Sequence, residues 1–168
     1  EYAGINAYHL AAQKGSDWLA LLLAAPVQNG FFESYEEGSE VFDLMRLSLK
    51  NRDTAMLDLL IRHGFPLNTK GADGLTPLQF LVKRVGGGDE AFDMLVTLIT
   101  AGADVNGLST HGGDTPLMMI ARNGWARAFD YLLDQGLPYA SVTANGDTLL
   151  HAAALGPSAT ARSILIYY

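Results

Sequence analysis

Four histidines, His9, His63, His111 and His151, carry the side chains of this chain that could hold a proton or a metal ion near neutral pH. No two of them have metal-ligand spacing, and no Ser-His-Asp order or glutamate pair stands out around them. Cysteine is absent, which removes thiolate nucleophiles, disulfides and cysteine-rich metal sites, and leaves the redox compartment open. Gly86-Gly87-Gly88 could suggest a phosphate cradle. No Lys-Ser or Lys-Thr follows it, however, and Asp89-Glu90 come next, so it reads as a flexible turn. The residues offer no catalytic constellation, no cofactor site and no metal site. What remains is recognition, and the question becomes which elements would build a recognising surface.

Those elements repeat. Five stretches copy one another at a spacing of about thirty-three residues, with starts near 6, 43, 76, 115 and 148. Thr76-Pro77-Leu78 and Thr115-Pro116-Leu117 each read as a helix start: the threonine caps a free backbone amide, and the proline sits where a missing N–H costs nothing. Thr148-Leu149-Leu150-His151-Ala152-Ala153 opens another unit, and Asn6-Ala7-Tyr8-His9-Leu10-Ala11-Ala12 the first. Gly64, Gly102 and Gly136 end apolar runs where a left-handed cap is wanted. The unit from Asp43 to Gly64 is the most degraded, with Asp43-Leu44 in place of Thr-Pro and Arg52 in place of the glycine between its helices.

These words resemble the ankyrin repeat, a β-turn followed by two helices with a Thr-Pro-Leu-His-x-Ala signature. Gly102-Ala103-Asp104-Val105-Asn106 matches the family's inter-repeat segment, and Gly64-Phe65-Pro66-Leu67-Asn68 and Gly136-Leu137-Pro138-Tyr139-Ala140 are weaker copies. The resemblance implies an all-α repeat solenoid of helix-turn-helix units joined by β-hairpin loops, about five repeats in a single domain over residues 1–168, the first and last atypical. It also implies that His9 and His151, at the signature position, hydrogen-bond to the backbone of the neighbouring turn. His63 falls in a helix's last turn, where a cation suits the dipole. His111 falls at a hairpin tip, free to touch a ligand.

Length and charge agree with one elongated domain: 168 residues, about half of them apolar, with a net charge of −7. The longest apolar run, from Trp18 to Val27, is interrupted by Pro26 and is too short to span a membrane, so the reading is a soluble protein whose compartment (cytoplasmic, periplasmic or secreted) stays open. The chain starts at Glu1 and stops at Tyr168 inside an apolar run, which reads as a piece of something longer.

Two departures from the pattern stand out, and insertions in solenoids map to loops, often on the binding face. The turn carrying Gly86-Gly87-Gly88 is one. The other is the long connection from Gln28 to Glu40, whose Phe31, Phe32 and Tyr35 either form a finger that anchors a partner or fold back to cover the degraded second unit. In modules that resemble ankyrin, the partner meets the concave side, built from hairpin tips and the exposed ends of first helices. Counting seven and eight residues from each start gives Gln13-Lys14, Lys50-Asn51, Lys83-Arg84, Arg122-Asn123 and Leu155-Gly156. Five of the chain's eleven basic residues fall on these ten positions, a basic stripe in an acidic protein. Such a stripe would orient an acidic partner and speed its approach. The competing reading is that basic residues simply complement helix C-termini in solvent. Hairpin tips carry Asp73, Asp114 and Asp147, which would repel phosphate, so nucleic acid is not the expected partner.

The reading is therefore a monomeric, non-catalytic protein–protein interaction module. Its partner-binding residues are Gln13, Lys14, Phe31, Phe32, Tyr35, Lys50, Asn51, Asp73, Lys83, Arg84, His111, Asp114, Arg122 and Asn123, and its partner is a protein with an acidic surface, not nucleic acid or membrane. Two alternatives stay open: an inhibitor or immunity-type protein that occludes an enzyme or toxin, and the targeting arm of a larger enzyme.

Overall fold

The computed structural model describes residues 10–11, 14–17, 20–21, 41–109, 113–136, 142–143 and 145–156. Among these the chain is helical and has no strand. From residue 41 onward it runs through α1 (Val41–Asn51), α2 (Thr54–Arg62), α3 (Pro77–Phe80), a π-helical turn (Leu81–Val85) continuous with α3, α4 (Asp89–Thr100), α5 (Pro116–Asn123), α6 (Ala126–Asp134) and α7 (Leu149–Ala154).

Helices start where side chains satisfy the first free amides. The Thr76 hydroxyl accepts the Gln79 N–H at 3.3 Å while the Gln79 Oε1 accepts the Thr76 N–H at 3.0 Å, a reciprocal box with Pro77 just inside. Thr115 accepts the Met118 N–H at 3.2 Å, and Pro116 follows it. At α7 the Nδ1 of His151 takes the place of the Gln79 oxygen and accepts the Thr148 N–H at 3.2 Å, so this ring is spent on the backbone of its own helix start. α2, a second helix, is capped by Asp53, whose carboxylate accepts the Met56 N–H at 2.9 Å. Gly64, Gly102 and Gly136 end their helices with φ of 79°, 99° and 74°.

Each second helix buries one stripe: Met56, Leu57 and Leu60 on α2; Ala91, Met94, Leu95 and Leu98 on α4; Ala128, Phe129 and Leu132 on α6. The three-and-four spacing puts each set on one face. α5 differs, because Pro116 through Ala121 are all buried in succession. It touches α3 and the π-helical turn on one side, α7 on the other and α6 behind. The first helices α1, α3, α5 and α7 thus stack in one layer and the second helices α2, α4 and α6 in another, around one continuous apolar core from Leu44 to Ala153. The protein is an all-α repeat solenoid.

Polar ties fix the register between units. Asn68 Nδ2 donates to Gly102 O at 3.2 Å and Asn68 Oδ1 accepts the Asp104 N–H at 2.7 Å, while Gln79 Nε2 donates to Gly107 O at 2.8 Å. Among the described residues the expected β-hairpin loops show closing backbone hydrogen bonds and no strand. The Gly71 N–H reaches Leu75 O at 3.0 Å, Ser109 reaches Asp114 at 3.1 Å and Thr143 reaches Asp147 at 2.9 Å; the described residues hold a single antiparallel bridge, Val142 with Thr148.

Leu132 has no solvent exposure and closes the buried α6 stripe. Leu132→Ala is expected to lower unfolding free energy by about 2–5 kcal/mol in urea titration. A loss under about 1 kcal/mol would mean that α6 does not carry the core contact assigned to it.

Candidate functional site

The basic stripe sits at the C-terminal ends of the first helices: Lys50 and Asn51 close α1, Lys83 and Arg84 lie in the π-helical turn, and Arg122 and Asn123 close α5. Lys14, Lys50, Asn51, Lys83 and Arg84 are exposed. Gln13, Phe31, Phe32, Tyr35 and His111 lie outside the described residues.

The described members divide into two groups. Arg122 Nη2 lies 3.2 Å from Asp114 Oδ1, and its Nε is buried without a partner. Asn123 donates its amide to Val82 O at 2.7 Å, tying the π-helical turn to α5. Asp73 pairs with Arg46 and also accepts the Leu75 N–H at 3.2 Å. Asp73, Asp114, Arg122 and Asn123 are therefore held by contacts inside the stack. Among the described residues Lys50, Lys83 and Arg84 form no ion pair, whereas Arg46, Arg52, Arg122 and Arg127 each have a carboxylate.

Lys50 and Arg84 belong to one pocket of about 470 Å³, lined also by Arg52, Phe80 and Val85. It forms because the end of α1 packs beside the π-helical turn. In that turn the Gly86 N–H reaches back five residues to Leu81 O at 3.2 Å, and Val82 O is left for Asn123. Such wide turns recur at functional sites. Phe80 and Val85 supply the apolar part of its lining, and the Arg46 guanidinium lies 5.1 Å from the Phe80 ring centroid.

Arg52 is the residue that sequence reasoning did not assign to the site. It has φ of 57°, the only positive value at a non-glycine residue among those described. α1 ends as α5 does: the Asp53 N–H reaches Ser48 O at 2.9 Å, as the Trp125 N–H reaches Ile120 O at 3.1 Å, and Arg52 stands where Gly124 stands with φ of 72°. The missing glycine was the available signal. A left-handed conformation costs a residue with a Cβ about 1–2 kcal/mol. The pair that Arg52 makes with Glu90 is 3.6 Å long and largely exposed, worth about 0.2–1 kcal/mol at best, so it does not offset the strain.

Lys50, Arg52 and Arg84 line the pocket without a carboxylate among the lining residues, a cationic wall in a chain of net −7. No group of three histidine, aspartate or glutamate side chains suited to a metal occurs among the described residues. No described helix is long and apolar enough to cross a membrane.

The family model described as ankyrin repeats, in three copies, matches residues 84–168, just over half of the chain. The chain belongs to the ankyrin repeat family. No curated protein matches it. Ankyrin repeats are generally protein–protein interaction modules, and the family is typically non-catalytic. In this ankyrin chain, the capped helix starts and glycine ends provide the frame, while Arg52 and the π-helical turn are departures from it.

Arg52→Gly relieves the left-handed strain and loses only an exposed pair. It is expected to raise unfolding free energy by roughly 0.5–1 kcal/mol in urea titration. A loss of stability would show that the arginine side chain holds the end of α1.

Proposed function

We propose that this ankyrin domain is a non-catalytic module that binds a partner protein through an acidic surface laid along the ends of its first helices. The observation that carries the reading is the set Lys50, Lys83 and Arg84: exposed, on neighbouring units, and without carboxylate partners among the described residues. Several other cations of the stack meet its own aspartates, as in Arg46 with Asp73, Arg122 with Asp114 and Arg127 with Asp89. Charges left unpaired on one surface act over about 8 Å at physiological salt and bring a complementary surface in already oriented. The net charge of −7 and the acids at Asp89 and Glu90 disfavour a nucleic-acid backbone.

Arg122 is a poor choice for charge reversal, because a glutamate there would face Asp114. Lys50→Glu with Lys83→Glu changes two exposed positions and is expected to leave stability within about 0.5 kcal/mol. Association of the double variant with the natural partner should slow by about tenfold or more at low salt, and the salt dependence of the rate should flatten. Stopped-flow rates at low and high salt measure both. Unchanged rates would reduce the stripe to solvated helix ends.

A further inference from the structure

We propose that the pocket between α1 and the π-helical turn is a carboxylate clamp for a short linear segment of the partner, taking an aspartate or glutamate together with an adjacent aromatic or aliphatic side chain. This rests on the reading of the domain as a protein-binding module and adds what that module selects. The wall is cationic, with Lys50, Arg52 and Arg84, and the floor is apolar, with Phe80 and Val85. An inorganic anion alone would leave the floor wet, and an apolar group alone would leave Lys50 and Arg84 without a counter-charge in the pocket. An occupant with both a carboxylate and an apolar body satisfies each, and about 470 Å³ lies within the range that buried ligand groups fill. Two guanidinium groups also favour a planar carboxylate, which they grip through paired N–H donors.

Two further observations point to the same chemistry. Glu90 already offers Arg52 a carboxylate, but at 3.6 Å and with two-thirds of its side chain in solvent, so a better-placed carboxylate displaces it at little cost. Arg52 also keeps a strained backbone where the sister unit has Gly124, and strain of that kind is retained where a side chain clamps a ligand. Gly88 completes the arrangement. A Cβ there would meet Arg52 Nη1 at 3.0 Å, so the glycine run gives the guanidinium room to lie across the mouth of the turn.

The test is selection of a random octapeptide display library on the intact domain, followed by titration of the best soluble peptide. Enriched sequences should carry an acid next to an aromatic or aliphatic residue. Arg84→Gln should weaken the best peptide by about tenfold. Arg52→Gly should weaken it several-fold while its melting temperature stays level or rises, a combination that a purely structural role would not give. Arg62→Gln, an exposed cation on α2 outside the pocket, should change nothing. Enrichment without acids, no enrichment, or unchanged affinity in Arg84→Gln would overturn the proposal. So would displacement of the peptide by millimolar inorganic phosphate or by a short single-stranded oligonucleotide, since either would make this a general anion site. If Lys50→Glu with Lys83→Glu slows the natural partner while Arg52→Gly and Arg84→Gln do not, the module reading stands and the clamp falls.

Discussion

No helix pair in this chain can bury its own apolar face, and that constraint shapes the rest of the molecule. α5 makes the point: Pro116 through Ala121 are all buried only because neighbours stand on both sides and α6 stands behind. Stability in such a stack comes from nearest-neighbour burial, so each helix can be short provided its ends are satisfied locally. The threonine caps, the left-handed glycine ends and the tight turns are the means by which helices of four to twelve residues persist. Apolar contact alone would tolerate sliding. The side-chain amides of Asn68, Gln79 and Asn123, each reaching a carbonyl of a neighbouring unit or its connecting turn, set the register instead.

What was legible in the sequence follows from how local each interaction is. Thr76, Thr115 and Gly102 announce themselves because a cap or a left-handed end depends on a few adjacent residues. Lys50, Lys83 and Arg84 were found by counting from those starts, since register along one helix is also local. Partnerships across the stack were not readable. Arg46 meets Asp73 across 27 positions and Asn123 meets Val82 O across 41, and nothing in either neighbourhood encodes the other. Arg122 and Asn123 occupy the same register as Lys50 and Asn51, yet contacts within the stack hold them.

The pocket was illegible for a related reason. Arg52 was visible as an absent glycine, but its side chain becomes a wall only once the backbone turns left-handed beside a helix from the following unit. The π-helical turn has no periodic signature either. It arises where α3 must run on to Gly86 before the chain can reverse, and the glycine run then lies against Trp125: a Cβ at Gly87 would meet the indole at 3.2 Å.

Regularity and specificity therefore sit in different residues of this protein. In the well-formed unit from Thr115 both cations meet carboxylates, Arg122 at Asp114 in the turn before it and Arg127 at Asp89 of the preceding unit, and Arg127 also lies 4.0 Å over Phe92. The degraded unit from Asp43 and the insertion after Val85 do the opposite at a single interface, leaving Lys50 and Arg84 without an ion pair among the described residues and holding Arg52 in strain. A solenoid can carry such an interface because its neighbours supply the burial that the irregular units lack. Repairing the irregularity with a glycine at position 52 would make a better repeat and remove one of the three cations that line this pocket.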